Sequence, residues 1–141
     1  MIRLSNKVEY GIRALIRLSM RGNLTTRELA FMEFIPERFL EHIMKDFKDA
    51  GIVTGKRGPR GGYVLAKRPD EITLGDIIKA LEGKTGIVKC LDDESACNLV
   101  SFCVMRSFWK KVQKELERAL YNLTLQDILD DIRNERILAG S

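Results

Sequence analysis

The chain has 141 residues, 45% apolar and 31% charged, which suits one globular domain, alone or with a helical appendage. No apolar run approaches the ~20 residues of a membrane span. Arg3, Lys7, Glu9 and Arg13 interrupt the stretch a secretory signal would occupy, so a cytoplasmic protein is expected. The net charge of +4 is unevenly placed: residues 1–70 carry 14 Lys and Arg against 8 Asp and Glu, whereas residues 71–141 carry 10 against 12. A polyanion partner is therefore expected for the N-terminal half, the bland alternative being a solvated surface of mixed sign.

Residues 5–21 read as a helix, with Val8, Ile12, Leu15 and Ile16 on one stripe and Arg13, Arg17 and Arg21 between them. Gly22 ends it. Thr25 with Glu28 three places on is an N-cap signal, opening a short second helix through about Phe31. Pro36 suits a first helical position and starts a third helix, which runs to Ala50 and stops at Gly51. Three short helices with tight joints predict a helix-turn-helix. On the third helix Leu40, Ile43, Met44 and Phe47 should pack inward, while Arg38, Glu41, His42 and Lys45 should face outward.

Two β-prone runs follow, "GIVTGK" and "GYVLAK", joined through "RGPRG". A hairpin directly after the third helix makes the unit a winged helix-turn-helix. A phosphate-cradling nucleotide loop would lead Gly-Lys-Ser/Thr into a helix, but this loop leads into a strand. Lys56, Arg57 and Arg60 on a glycine-rich tip suit a minor groove or phosphates instead. Incidental charge on a tight turn is the bland alternative; agreement between helix and wing favours DNA.

Thr73 and Asp76 cap a fourth helix ending at Gly83, and residues 84–100 read as a loop. From Phe102 a 3.5-residue seam runs through Met105, Trp109, Val112, Leu116, Ala119 and Leu123, the pattern of a helix packing along another helix. That partner is either the chain's own helices or, as favoured here, a second copy in a symmetric dimer. Thr124 and Asp127 cap a last helix carrying Leu125, Ile128, Leu129 and Ile132. The expected fold is mainly α with a small β-hairpin wing. Residues 1–83 would form the winged helix-turn-helix, 84–103 a cysteine-bearing loop, and 104–141 the dimerisation helix and C-terminal helix.

Cys90, Cys97 and Cys103 are the only cysteines, spaced C-x6-C-x5-C. In a reducing cytosol an odd, clustered set points to metal or redox chemistry more than to disulfides. Zinc sites usually include a C-x2-4-C pair, which is missing here. The wider spacing suits an iron–sulfur cluster, whose irons demand thiolates yet tolerate a different fourth ligand. His42, the one histidine, lies on the outward face of the third helix and reads better as a base or phosphate contact.

Nearly the whole chain resembles the Rrf-type bacterial regulators, which include IscR, NsrR and CymR. The resemblance is carried by "RLSNKVEYGIRAL", "IPERFLEHIMKDFKDAGIV", "KRGPRGGYVLAKRPDEITLGDIIKALEG" and the three cysteines before the long helix. It implies a DNA-binding homodimer acting on a pseudo-palindromic operator, typically as a repressor, with a cluster tuning operator affinity. Arg38, Glu41 and His42 match the base-reading places, Arg57 the wing residue that enters the minor groove, and Cys90, Cys97 and Cys103 the cluster ligands. IscR-like members carry a histidine where this chain has Arg106. NsrR-like members use an acidic residue from the first helix of the other subunit, and Glu9 occupies that place. The pattern leans toward a 4Fe–4S arrangement, with 2Fe–2S as the alternative. Arg60 also departs from the glycine common in the wing.

Three functions compete. The first is a regulator that senses cluster status, iron, oxidants or nitric oxide. A second is a cluster-free regulator governed by thiol oxidation or a metabolic enzyme. A third, an iron–sulfur carrier or redox enzyme, leaves the wing unexplained and lacks an acid–base or nucleophile constellation, so no enzyme is expected.

Overall fold

Helix α1, Asn6–Arg21, begins where the Ser5 hydroxyl accepts the Val8 N–H at 3.3 Å. The fold is that of a computed structural model, which describes residues 4–58, 61–83 and 104–139. Arg60, Phe102, the 84–103 segment and all three cysteines lie outside the described residues. The buried stripe of α1 is Val8, Gly11, Ala14, Leu15 and Leu18. Gly11 is there because nothing larger fits: a Cβ would sit 2.6 Å from Leu81 and 2.8 Å from Phe47.

Thr25 accepts the Glu28 N–H at 3.0 Å and opens helix α2, Thr26–Glu33. The helix runs two residues beyond the expected end at Phe31. Its last residue is anchored: the Glu33 carboxylate meets Arg17 of α1 at 2.8 Å and Arg13 at 3.5 Å. Helix α3, Glu37–Asp49, has Pro36 at its N-cap, one place earlier than expected. Leu40, Ile43, Met44 and Phe47 of α3 are fully buried. Burying one such side chain contributes about 1.5–3 kcal/mol before the ordering entropy is set against it.

Strands β1, Val53–Lys56, and β2, Gly62–Leu65, pair antiparallel with Val53 opposite Leu65 and Lys56 opposite Gly62. After a 3₁₀ turn at Pro69–Glu71 comes helix α4, Leu74–Glu82, with a reciprocal cap: Asp76 accepts the Thr73 N–H and Thr73 accepts the Asp76 N–H. Helix α5, Val104–Asn122, and helix α6, Leu125–Ala139, are joined by the same device, Thr124 with Asp127.

The C-terminal helices share the core of the N-terminal ones. Leu74 N–H donates to the Leu123 carbonyl and Leu125 N–H to the Ile72 carbonyl, both at 2.8 Å. Leu125 is fully buried among the α1, α3 and α4 core residues. Helix α5 lies close on α4, since a Cβ on Gly75 would strike the Tyr121 ring at 2.6 Å. The inward face of α5 includes Gln113 and Leu120. The 3.5-residue seam is only partly covered within the chain: Met105, Ala119 and Leu123 are exposed, and Trp109, Val112 and Leu116 are half-buried. The architecture is a winged helix-turn-helix followed by a long helix, mainly α with one two-stranded hairpin. Among the described residues no helix is long and apolar enough to cross a membrane.

Candidate nucleic-acid interface

Because Leu40, Ile43, Met44 and Phe47 are turned into the core, the opposite face of α3 is presented outward. Arg38, Glu41, His42 and Lys45 on it are all exposed. Both halves of α3 are held against α1. Phe39 meets Tyr10 edge-on at 5.8 Å, and the Arg13 guanidinium lies 5.5 Å from the same Tyr10 ring. Further along, Lys7 pairs with Asp46 at 2.7 Å and donates to the Leu81 carbonyl at 3.0 Å.

The wing is fixed just as firmly. Leu24, in the link between α1 and α2, forms an isolated bridge with Tyr63 and so adds a third edge to the hairpin. Gly62 permits this approach, because a Cβ there would fall 2.7 Å from the Leu24 backbone. At the tip Gly58 has φ +113°, a conformation open to glycine, and the Gly61 N–H donates to its carbonyl at 2.9 Å. Lys56 and Arg57 are exposed there.

The cations divide into two groups. Lys7, Arg13 and Arg17 are spent on Asp46 and Glu33 inside the fold. Among the described residues no acidic side chain pairs with Arg38, Lys45, Lys56 or Arg57. Their charge is therefore open to phosphate, while Arg38, Glu41 and His42 offer hydrogen-bonding groups to base edges.

Glu9 is exposed on the first turn of α1. The start of that helix is pinned to the end of α4 by Ser5, which donates to the Glu82 carboxylate, and by Lys7 on the Leu81 carbonyl. Glu9 thus belongs to the helix end tied to the point where the chain leaves α4 toward its cysteines. Among the described residues no group of three His, Cys, Asp or Glu side chains could hold a metal ion.

The family model for Rrf2, an iron-dependent transcriptional regulator, matches residues 4–131. The chain belongs to the Rrf2 family of transcriptional regulators. The B. subtilis CymR structure, a global cysteine regulator, is 32% identical with a TM-score of 0.71, over 91% of this chain and 96% of that one. A structure of T. potens IscR is 33% identical with a TM-score of 0.73, over 93% and 88%. Protein rrf2 of Nitratidesulfovibrio vulgaris is 29% identical over 92% of this chain and 89% of its own. DNA binding and transcription regulation follow from membership of the Rrf2 family.

One backbone feature beside α3 was not legible in sequence. Phe34, in the joint between α2 and α3, adopts φ 55° and is 92% exposed. The usual sequence signal for such a left-handed helix end, a glycine or asparagine, is absent at this position.

Proposed function

We propose that this Rrf2-family regulator binds a pseudo-palindromic operator as a homodimer, and that an iron–sulfur cluster on Cys90, Cys97 and Cys103 sets its affinity. The observation that carries this reading is the cysteine triplet, placed between α4 and α5 in a chain matched by an iron-dependent regulator family. Arg38, Glu41, His42 and Lys45 read the major groove, and Lys56, Arg57 and Arg60 grip phosphates and the minor groove. The seam on α5 is the dimer contact, through Met105, Trp109, Val112, Leu116, Ala119 and Leu123. The protein works in the cytoplasm by occupying DNA rather than by catalysis.

The donor set fits a cluster. Three thiolates are the ligands iron–sulfur clusters require, and Glu9 of the second subunit supplies a carboxylate from the helix end tied to α4. Arg106 offers no acceptor because a guanidinium stays protonated. This set leans toward 4Fe–4S rather than 2Fe–2S. When bound, the cluster supplies a group that iron supply, oxidants or nitric oxide can alter.

Anaerobic purification with iron and sulfide counting tests the reading. A brown protein with comparable iron and sulfide, both lost in Cys97→Ala, is expected. A colourless protein without sulfide contradicts it. The similarity to CymR favours a second reading, in which thiol oxidation or a partner enzyme governs DNA binding. Under that reading the colourless protein's operator affinity follows its thiol redox state.

A further inference from the structure

The Phe34 backbone is held from both sides. Its N–H and that of Ile35 both donate to the Ala30 carbonyl, and Ile35 plugs the core at 4% exposure. With Ile35 buried and Pro36 opening α3, the Phe34 ring has only solvent to enter. It is 92% exposed, and Phe31, one turn back on α2, is 84% exposed. Phe34 is also the one residue other than glycine with positive φ among the described residues. Glycine commonly fills such a helix-terminating place, since a side chain there is strained. A strained conformation spent on a fully solvated aromatic ring points to a role outside the folded monomer.

In helix-turn-helix docking the first helix of the pair crosses the DNA backbone, and the N-terminal residues of the second meet base edges. The α2–α3 joint then lies at the lip of the groove. Arg27 and Arg38, exposed on the first turns of α2 and α3, bracket it with cations that pair with no acid among the described residues. We infer that Phe34 is a DNA contact, its ring seated on a thymine methyl or a deoxyribose beside the N-terminus of α3. The inference rests on the operator-binding reading above and adds an apolar determinant to its charged ones.

The test uses the full-length wild-type chain to select a duplex from a random-sequence pool. The affinities of Phe34→Gly, Phe34→Asn and Phe34→Tyr for that duplex are then compared across a salt series. Glycine and asparagine both accept the left-handed conformation, so Phe34→Gly should unfold in urea no earlier than wild type. Its affinity should nevertheless fall by about tenfold, with an unchanged salt slope, because no phosphate contact is lost. Phe34→Asn should behave alike, and Phe34→Tyr should keep wild-type affinity. Uracil for thymine at single positions separates the two apolar sources. A loss of about fourfold at one position assigns the thymine methyl, and no loss at any position assigns the sugar. Wild-type affinity in Phe34→Gly overturns the inference and turns the ring toward a protein partner, while leaving operator binding intact. Failure of the wild-type chain to enrich any duplex overturns the operator reading itself, and this inference with it.

Discussion

Leu24 and Tyr63 exchange two backbone hydrogen bonds, from the Leu24 N–H at 3.1 Å and from the Tyr63 N–H at 2.7 Å. The wing is thereby fastened to the link between α1 and α2, at the entrance to the helix-turn-helix. Gly62 makes the contact possible, which gives a prediction remote from any charge. Gly62→Ala should push β2 off Leu24 and cost about 1–3 kcal/mol of stability, as overpacking does. Amide exchange at Leu24 and Tyr63 should quicken, and operator affinity should fall. Unaltered protection at both amides would show that the wing is held some other way.

Arg57 is exposed beside Gly58 at the wing tip with no acidic partner among the described residues. Arg57→Ala should weaken operator binding by about 1–3 kcal/mol; if the lost contact is to phosphate, the salt slope should also drop by about one. Filter binding at several salt concentrations measures both quantities. Equal affinity and slope in the variant would remove the wing from the interface.

The reach of the sequence differed between elements for physical reasons. The two faces of α3 were legible because Leu40, Ile43, Met44 and Phe47 obey one period, and all four are buried. The caps at Thr25, Thr73 and Thr124 were legible because capping is local chemistry, fixed by residues three apart. The extra length of α2 was not, because Glu33 is held by Arg13 and Arg17 from another helix. Nor was the bond between Leu24 and β2, a backbone contact across about forty residues that only the gap at Gly62 permits. Arg38, Glu41, His42, Lys45, Lys56 and Arg57 were readable as candidates through charge and spacing. Which cations were already used inside the fold emerged only with the packing.

The α5 seam predicts a dimer. Leu116 is half-buried within one chain, in a row that includes the exposed Met105 and Leu123. Leu116→Asp would place an unpaired charge in that contact, which is costly enough to separate subunits. Sedimentation should show a dimer for the wild type and a monomer for the variant. A variant that remains dimeric at micromolar concentration places the subunit contact elsewhere.

Glu9 supplies the weakest donor of the proposed ligand set, since a carboxylate is a harder base than thiolate. Glu9→Ala should still assemble a cluster but lose it faster in air, whereas Cys97→Ala should assemble none. Visible absorbance followed after exposure to oxygen reads both. Identical spectra and lifetimes for Glu9→Ala and wild type would leave Glu9 as a solvated residue of α1.

The central claim, that cluster status sets operator occupancy, is tested most directly by one affinity measured twice on a single anaerobic preparation. The selected operator duplex is titrated before and after the cluster is removed, at fixed salt and with thiols kept reduced. The two dissociation constants should differ by about 5- to 150-fold, the range of an ordinary coupling between two sites, and Cys97→Ala should show only the cluster-free value. Equal constants before and after removal would contradict the account, leaving a DNA-binding protein whose cysteines do not govern its hold on DNA.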